Sequence, residues 1–162
     1  MLLYDFMYVD LAPDVVRRRL VAEHGLRLIA RAALAAGEDE VLRRGTDASG
    51  PGPALTASTS VSLGEPRHLG GATLIPLVWR AAQSGDAPLV AADLELAPLS
   101  STRTQLTLLG RPDDEERGPK VIRRRVIQAT MRSFLHHLAH DLEQSSSVHA
   151  DTVPPRTVTL AG

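Results

Sequence analysis

Three histidines lie close together in a predicted C-terminal helix, and their spacing suits metal chemistry. His136 and His140 are one helical turn apart, a spacing at which two imidazoles can bind one zinc ion, and His137 lies beside them. The sequence lacks the glutamate of an HExxH motif, and no third ligand is evident. Histidines near a helix C-terminus are also favoured by the helix dipole. We therefore expect no metal site and no cofactor.

The segment DDEERGPKVIRRR, residues 113–125, changes from acidic to basic where the predicted helix begins. Arg123 and Arg124 lie on turns that continue the apolar stripe of this helix, and a guanidinium there could hold a ligand carboxylate through two hydrogen bonds. The alternative is a solvated loop whose opposite charges balance one another. The sequence leaves both interpretations open, and Arg124 is kept as a candidate ligand-binding residue.

Charged and phenolic residues of the predicted strands are the remaining candidates for acid–base catalysis. Asp93, Glu95 and Arg103 lie inside strands, but the alternation directs them to solvent, where Glu95 and Arg103 would form a surface ion pair. Tyr4 and Tyr8 could supply a phenol to a cavity, and ordinary packing explains them equally well. No glycine-rich phosphate loop, nucleophile elbow or metalloprotease motif is present. The catalytic residues, if any exist, are unknown at this point.

Composition narrows the class of protein. A chain of 162 residues is expected to form one domain, and a net charge of −1 gives no electrostatic reason to bind nucleic acid or an anionic membrane. The absence of cysteine excludes disulfides and thiolate chemistry. The first residues, MLLYDFMYVD, lack a basic signal-peptide region, and no apolar stretch approaches the roughly 18–20 residues that cross a bilayer. We expect a cytoplasmic protein without membrane insertion, and the single lysine among many arginines is typical of a high-GC bacterial genome.

The elements that position these residues follow from the period of the apolar pattern. A strand at residues 2–11 precedes a helix that begins at Pro13 and ends at Gly25, and then a second short helix that ends at Gly37. Beyond a loop, alternation predicts consecutive strands with short connections, which form an antiparallel meander. These strands are predicted at residues 54–64, 72–82, 89–99 and 101–110.

A long amphipathic helix follows the meander and covers its apolar face. It begins at Pro119 and ends near Glu143. Its apolar stripe consists of Ile127, Met131, Phe134, Leu138 and Leu142. The polar remainder has little to bury, so we expect one α+β domain at residues 1–143 and a disordered tail at residues 144–162.

The strand ATLIPLVWRAA, residues 72–82, is apolar on both faces and carries the only tryptophan of the chain. If Leu63 pairs with Thr73, Trp79 lies on the inner face of the sheet between Ala57 and Ala92. The indole ring is then either the wall of a cavity or simply part of the core.

The opposite face of this strand carries Leu74, Pro76 and Val78. Proline cannot donate a hydrogen bond to a sheet, so a bulge or a sheet edge is expected at Pro76. This apolar set requires cover, either by the two short helices or by a second subunit.

Several blocks of the chain resemble the START-like, or helix-grip, superfamily, and within it a small bacterial branch. They are the connection DLAPDVV, the strands VSLGEPR, LIPLVWRA and DLELAPLSSTRTQLTLLG, and the helix RRRVIQATMRSFLHHLA. The resemblance covers about residues 1–143. The superfamily includes polyketide cyclases, lipid-transfer domains and plant hormone-binding proteins. It implies a curved antiparallel sheet wrapped around the C-terminal helix, with an apolar cavity between them. The loop RPDDEERGP departs from the pattern of the branch at the cavity mouth.

The resemblance predicts a protein, monomeric or weakly dimeric, that binds a small apolar or amphipathic molecule. A polyketide cyclase-like or dehydratase-like enzyme is one alternative, and a non-catalytic interaction module with a closed cavity is another. The predicted ligand-binding residues are Trp79, Leu94, Leu96, Leu106, Leu108, Arg124, Ile127, Met131 and Phe134.

Overall fold

A six-stranded antiparallel sheet and three helices make up the part of the chain that the computed structural model describes, residues 3–47, 59–81, 90–112 and 120–150. In chain order the elements are β1 (Leu3–Val9), α1 (Pro13–Val21), α2 (Glu23–Asp47), β2 (Thr59–Leu63), β3 (Arg67–Leu69), β4 (Ala72–Ala81), β5 (Val90–Ser100), β6 (Arg103–Pro112) and α3 (Lys120–Ala150). The predicted α+β class and the antiparallel meander are confirmed.

The strands are arranged in the order β1-β6-β5-β4-β2, and β3 also pairs with β4. Strands β4, β5 and β6 therefore lie side by side in chain order. The first strand, β1, completes the sheet beside the last, β6, and each pairing is antiparallel. The first and the last strand of the chain, β1 and β6, therefore lie side by side at one edge of the sheet.

The sheet has one buried and one exposed face because side chains alternate along each strand. In β1, Leu3 and Val9 are buried, whereas Tyr4, Phe6 and Tyr8 are exposed. We call the buried side the inner face and the side of the three aromatic rings the outer face. The inner face carries Leu3, Val9, Thr73, Ile75, Leu77, Ala92, Leu94, Leu96, Thr104, Leu106 and Leu108.

The three helices form a layer on the inner face. Helix α3 contacts β1 and β6, α1 contacts β5 and β6, and α2 lies against α3 and β2. The apolar side chains of these helices belong to the same buried cluster as those of the inner face. The predicted stripe of α3 is confirmed, with all five members buried: Ile127, Met131, Phe134, Leu138 and Leu142.

Two helices follow β1 as predicted, but their boundary lies elsewhere. Helix α1 ends before Ala22, whose extended backbone breaks the helix, and Gly25 lies in the first turn of α2. A Cβ atom at Gly25 would be 1.9 Å from the carbonyl oxygen of Leu20, so glycine permits a close approach there and does not end a helix. Helix α2 runs through Gly37, so the prediction of a helix end at that residue is wrong as well. A glycine costs a helix interior only about 1 kcal/mol, which the contact of α2 with α3 outweighs.

A two-residue glycine turn sets the register of β4. Gly70 and Gly71 have φ angles of 56° and 87°, and they connect β3 to β4 with Leu69 opposite Ala72. Because β3 occupies the first part of β4, β2 pairs further along, and Leu63 lies opposite Leu77. The predicted pairing of Leu63 with Thr73 is therefore wrong.

The corrected register changes the neighbours of Trp79 but not its face. Trp79 lies opposite Val61 on β2 and Val90 on β5, whereas Ala92 lies opposite Leu77 and Ala57 lies outside the described residues. The partner of Leu63 moved by an even number of positions, and only an odd shift turns a strand over. The predicted inner and outer sets of β4 therefore survive the error.

Pro76 lies within the sheet, at the place where the neighbour of β4 changes from β2 to β3. Its carbonyl oxygen accepts a hydrogen bond of 2.7 Å from the N–H of Gly64. In an antiparallel strand the N–H and C=O of one residue point to the same neighbour, so the missing N–H of Pro76 faces the break between β2 and β3. Proline is tolerated because no strand continues there to accept a hydrogen bond.

The outer apolar set of β4 is half-buried and does not belong to the core cluster. Leu74, Pro76 and Val78 are flanked on this face by side chains of neighbouring strands, while α1 and α2 cover the inner face. Cover of this set by the two helices is therefore wrong, and the alternative of a second subunit stays a prediction.

Helix α3 extends to Ala150, beyond the predicted end at Glu143. Arg19 of α1 supports this end, since its guanidinium donates hydrogen bonds of 2.6 Å and 3.5 Å to the carbonyl oxygens of Leu142 and Ser145. The division into a domain at 1–143 and a tail at 144–162 stays a prediction, because residues 151–162 lie outside the described residues.

Candidate functional site

Seven of the predicted ligand-binding residues meet in one apolar layer between the sheet and α3. Leu94 lies opposite Leu108, and Leu96 lies opposite Leu106, so four leucines of β5 and β6 form a block on the inner face. Ile127, Met131 and Phe134 face them from α3 in the same cluster. Each of the seven is at most 5% exposed. The sequence therefore identified residues that lie together, and in the structure their side chains are packed as a core.

Two predicted residues lie apart from this layer. Arg124 is exposed near the start of α3. The backbone of Trp79 lies in β4 opposite Val61 and Val90, and its side chain is outside the described part of the structure. Their roles in ligand binding stay predictions.

A cleft of about 230 Å³ reaches the apolar layer from the surface. It lies between the first turns of α1 and the strands β3, β4 and β5. Its walls are Pro13, Asp14, Arg17, His68, Gly71, Ala72, Thr73, Leu96 and Pro98. Leu96 belongs both to this wall and to the buried cluster, so the cleft ends at a predicted ligand-binding residue.

The sequence of α1 explains where this helix begins beside the cleft and which charged groups it carries there. Pro13 begins the helix, where the absent N–H of proline breaks no helical hydrogen bond. Asp14 follows in the first turn, and its Oδ1 accepts a hydrogen bond of 3.1 Å from Nη2 of Arg17. Both side chains are well exposed, so this ion pair contributes little stability and leaves the charged groups available to a ligand.

His68 and Thr73 form the polar wall of the cleft opposite α1. Nδ1 of His68 and Oγ1 of Thr73 are 3.1 Å apart, and the two residues lie opposite each other in β3 and β4. Thr73 is 4% exposed, so its hydroxyl lies at the inner end of the cleft. The imidazole can donate a hydrogen bond to the threonine hydroxyl or accept one from it, and it can do the same with a polar group of a bound molecule.

Sequence reasoning missed His68 because EPRHLGG lies between the strands predicted at residues 54–64 and 72–82 and is predicted to be the turn that connects them. The dipeptide Gly70-Gly71 between apolar residues is itself a signal for a two-residue hairpin. A hairpin at this position places a short strand before the two glycines. In that strand His68 has the same parity as Thr73 on the neighbouring strand.

Arg124 and the cleft lie at opposite ends of α3. At the far end, Oε1 of Glu143 accepts a hydrogen bond of 3.2 Å from the N–H of Asp10, just before α1. Arg124 lies nineteen residues earlier, a helical distance of about 28 Å. The structure therefore does not bring Arg124 to the cleft that Leu96 lines.

Neither protein-family models nor curated proteins match this sequence. Among solved structures, three are similar to this chain at low sequence identity. An aromatase/cyclase, Zhui, from Streptomyces sp. R1128 has 13% sequence identity and a TM-score of 0.37, with 90% of this chain and 95% of that one covered. The Rhizobium loti protein Mll3558 has 13% identity and a TM-score of 0.38 over 85% and 96%. Ara h 8.0201 has 9% identity and a TM-score of 0.35 over 89% and 98%.

The order of elements and the sheet pairing decide the architecture. One antiparallel sheet is covered on its inner face by a long C-terminal helix, and two helices follow the first strand. The chain has the helix-grip fold. The predicted sheet with a long C-terminal helix against it is thus confirmed by the elements themselves, and a fold carries no conclusion about activity.

One of the three histidines of α3, His137, makes a contact with α2. Nε2 of His137 lies 2.8 Å from Oδ2 of Asp39, and the hydroxyl of Ser133 donates a hydrogen bond to the same oxygen. The carboxylate thus lies between the serine and the histidine, so the histidine does not activate the serine. His136 and His140 are exposed, and within the described residues no group of three potential ligands is placed to bind a metal ion.

Charged residues on the helix-grip sheet pair differently from the prediction. Nε of Arg103 lies 2.7 Å from Oδ1 of Asp10, and Nη2 of Arg67 lies 3.2 Å from Oδ1 of Asp93. The predicted pair of Arg103 with Glu95 is therefore wrong, because residues after β1 come close to the start of β6. These pairs are exposed, as predicted for strand residues that point outward.

The phenols of β1 cannot serve the inner side of the helix-grip sheet. Tyr4 and Tyr8 are 62% and 48% exposed on the outer face. The prediction that they supply a phenol to a cavity is wrong, and the reason is the parity set by buried Leu3 and Val9.

Within the described residues, none of the helices has the length and apolar character needed to cross a membrane.

Proposed function

We propose that this protein binds a small apolar or amphipathic molecule between the inner face of the sheet and α3. The observation that carries the proposal is the position of Leu96, which is a wall of the surface cleft and a member of the buried cluster. A molecule that enters the cleft meets an apolar layer in which burial contributes about 25 cal/mol per Å² of apolar area. The ligand-binding residues of this proposal are those predicted from the sequence, with His68 and Thr73 added.

The size of the cleft sets the size of the ligand. Its volume of about 230 Å³ lies below the roughly 300–1,000 Å³ of pockets for drug-sized molecules. A larger ligand therefore requires a core side chain to move, and Met131 is the natural candidate because its unbranched thioether adapts its shape. We expect the preferred ligand to be small, or flat enough to displace only this residue.

Polar groups at the mouth of the cleft would orient the ligand. His68 and Thr73 can donate or accept hydrogen bonds, and Arg17 can bind an anionic group. Trp79 and Arg124 stay predicted ligand-binding residues, and a ligand small enough for the cleft does not reach Arg124. The predicted partner is thus a small hydrophobic molecule with one polar end. A cytoplasmic location, the absence of nucleic acid as a partner and a monomeric or weakly dimeric state are parts of the same proposal.

Native mass spectrometry of the purified protein is the first test. A small molecule that co-purifies and is released on denaturation would support binding and identify the ligand class. An empty protein whose Trp79 fluorescence and thermal stability do not respond to fatty acids, aromatic polyketides or isoprenoids would overturn the proposal.

The substitution Pro98→Phe tests the cleft itself. Pro98 is an exposed wall residue, so a phenyl ring there fills the mouth without entering the core. We expect calorimetry to show affinity for the bound class of ligand falling by about tenfold or more, which is at least about 1.4 kcal/mol. The matched control is Leu99→Phe, because Leu99 is an exposed neighbour outside the cleft wall and should retain the affinity. Equal loss in both variants would contradict binding through the cleft.

A polyketide cyclase-like or dehydratase-like reaction is the second candidate, and the contact of His68 with Thr73 favours it. Such chemistry needs a group at the cavity that moves protons, and the exposed His68 at the mouth of the cleft is a candidate that sequence reasoning did not find. In that case His68→Ala would abolish turnover of a polyketide substrate and leave its binding within about twofold. Loss of binding alone, without any turnover in the unaltered protein, would favour the binding protein.

A closed interaction module is the third candidate. The full burial of Met131 and Phe134 is the packing that such a module would have, and the exposed rings of Tyr4, Phe6 and Tyr8 offer a contact surface. An empty protein in native mass spectrometry that binds a protein partner through the outer face would select this candidate.

A further inference from the structure

A second and larger concavity lies between the helices, away from the cleft. It has a volume of about 750 Å³ and is formed by one side of α1, the first turns of α2 and the C-terminal part of α3. Its walls are Val15, Arg18, Arg19, Ala22, His24, Arg27, Leu28, Arg31 and Ser145. None of these residues lines the cleft, so we treat the two as separate and call this one the arginine groove.

The walls of the arginine groove carry positive charge without a carboxylate among them. Four arginines contribute this charge, and the other five wall residues are one histidine and four uncharged residues. Cationic side chains on one concave surface repel one another and raise the local concentration of anions. The charge of the walls therefore favours a bound anion.

Contacts with helix backbones orient two of these arginines. Nε of Arg18 donates a hydrogen bond of 3.2 Å to the carbonyl oxygen of Asp14, and Arg19 donates to those of Leu142 and Ser145. The carbonyl oxygen of Asp14 is a neutral acceptor, so this hydrogen bond positions the guanidinium group of Arg18 without cancelling its charge. Preorganised arginines lose less entropy when they bind a ligand.

The other two arginines differ in their pairing. Nε of Arg31 lies 2.8 Å from Oδ2 of Asp141, a hydrogen bond and charge interaction that raise the pKa of Arg31. Among the described side chains, Arg27 makes no hydrogen bond or ion pair. Arg27 and Arg18 are thus the guanidinium groups best able to bind an anion in two-point contact.

The floor of the arginine groove is apolar. Val15, Ala22 and Leu28 lie among the cationic residues, and Leu28 also packs against the core cluster. An inorganic ion would leave this apolar surface in contact with water. An apolar group attached to an anion would cover it, with a gain of about 25 cal/mol per Å².

We propose that the arginine groove binds a small amphipathic anion, a carboxylate or phosphate attached to an apolar body. Its volume lies within the roughly 300–1,000 Å³ of small-molecule pockets. A concave wall formed by three helices suits a discrete molecule better than the flat surface of a bilayer. The site is additional to the cleft, because the two share no residue.

Calorimetry with matched probes tests this site in the full-length protein. The probes are decanoate, decyl phosphate, decanol and inorganic phosphate at low salt. We expect decanoate and decyl phosphate to bind about tenfold more tightly than decanol, since a hydrogen bond to a charged group contributes about that factor. Decanol binding as tightly as decanoate would overturn the role of the charge. Inorganic phosphate binding as tightly as decyl phosphate would overturn the role of the apolar floor.

Single-charge variants locate the binding. Arg27→Gln and Arg18→Gln should each weaken decanoate binding by about tenfold. The matched control is Arg125→Gln, which removes the same charge from an exposed position of α3 outside the walls, and it should retain the affinity. Equal weakening in the control would show that decanoate binding depends only on the net charge of the protein, and this result would overturn the proposal.

Two further measurements distinguish the arginine groove from the cleft and from a membrane-binding surface. Pro98→Phe should leave decanoate binding to the arginine groove unchanged, so failure of the cleft and failure of the groove are distinguishable. Sedimentation with vesicles that contain anionic phospholipid tests the membrane alternative. Binding to these vesicles without binding to any soluble probe would overturn the small-molecule proposal.

Discussion

At the scale of single residues, the role of a glycine depends on contacts that its sequence context does not show. Gly25 lies where a helix end is expected, yet it permits the first turn of α2 to approach the carbonyl oxygen of Leu20. Gly70 forms a turn, and together with Gly71 it makes this turn a tight hairpin that requires positive φ at both residues. The identity of a residue is local information, whereas the reason for it is a contact made elsewhere.

The substitution Gly25→Ala tests the close approach. The added Cβ would lie 1.9 Å from a backbone oxygen, so α1 and α2 must move apart, and overpacking of this kind costs about 1–3 kcal/mol or more. Chemical denaturation should show the loss. Leu26→Ala, at an exposed position in the same turn, should change stability by no more than about 0.5 kcal/mol. Gly25→Ala with unaltered stability would show that the junction relaxes freely.

At the scale of elements, α3 follows directly from its sequence. Apolar residues spaced by three and four positions predicted a stripe, and all of its members are buried against the sheet and α2. Strand β4 shows the opposite case, since its faces were predicted and its register was not. The register depends on β3, a strand of three residues that competes with β2 for the same edge of β4.

The substitution Phe134→Ala tests the central position of α3. Phe134 is completely buried between the helix and the inner face, so its truncation leaves a cavity and should cost about 3–5 kcal/mol in urea unfolding. His136→Ala, two residues later on the exposed side, should cost less than about 0.5 kcal/mol. Similar losses in both variants would contradict the assigned faces of α3.

At the scale of the whole molecule, the two faces of the sheet have different partners. The inner face is covered by helices, whereas the outer face leaves Tyr4, Phe6 and Tyr8 exposed, with the rings of Phe6 and Tyr8 5.5 Å apart. Exposed aromatic clusters are common in surfaces that bind another protein. The three rings lie on β1, which is an edge strand of the sheet.

We expect the protein to be monomeric when dilute and to self-associate weakly at high concentration through this outer face. Sedimentation velocity over a range of concentrations should show the association, and Phe6→Ser should weaken it because it removes the central ring. Since Phe6 lies outside the core cluster, its substitution should change the stability of the fold by no more than about 0.5 kcal/mol. Association that is unchanged in the variant would exclude this face.

The sequence by itself determined the types of the longer elements, the parity of their strands and the stripe of α3. These properties depend on the period of side chains along a helix or a strand, and a period is visible within about a dozen residues. Seven of the predicted ligand-binding residues meet in the core for this reason, since inward parity and the helical stripe place them on facing surfaces.

Only the tertiary structure decided the register of β4, the junction of α1 and α2 and the two concave sites. The cleft joins Pro13, His68 and Pro98, and the arginine groove joins Arg18, Arg31 and Ser145, residues that are distant in the chain. Such sites depend on which elements lie side by side, and that choice results from competition among contacts across the whole molecule. The period of apolar residues within one element does not predict which elements lie side by side.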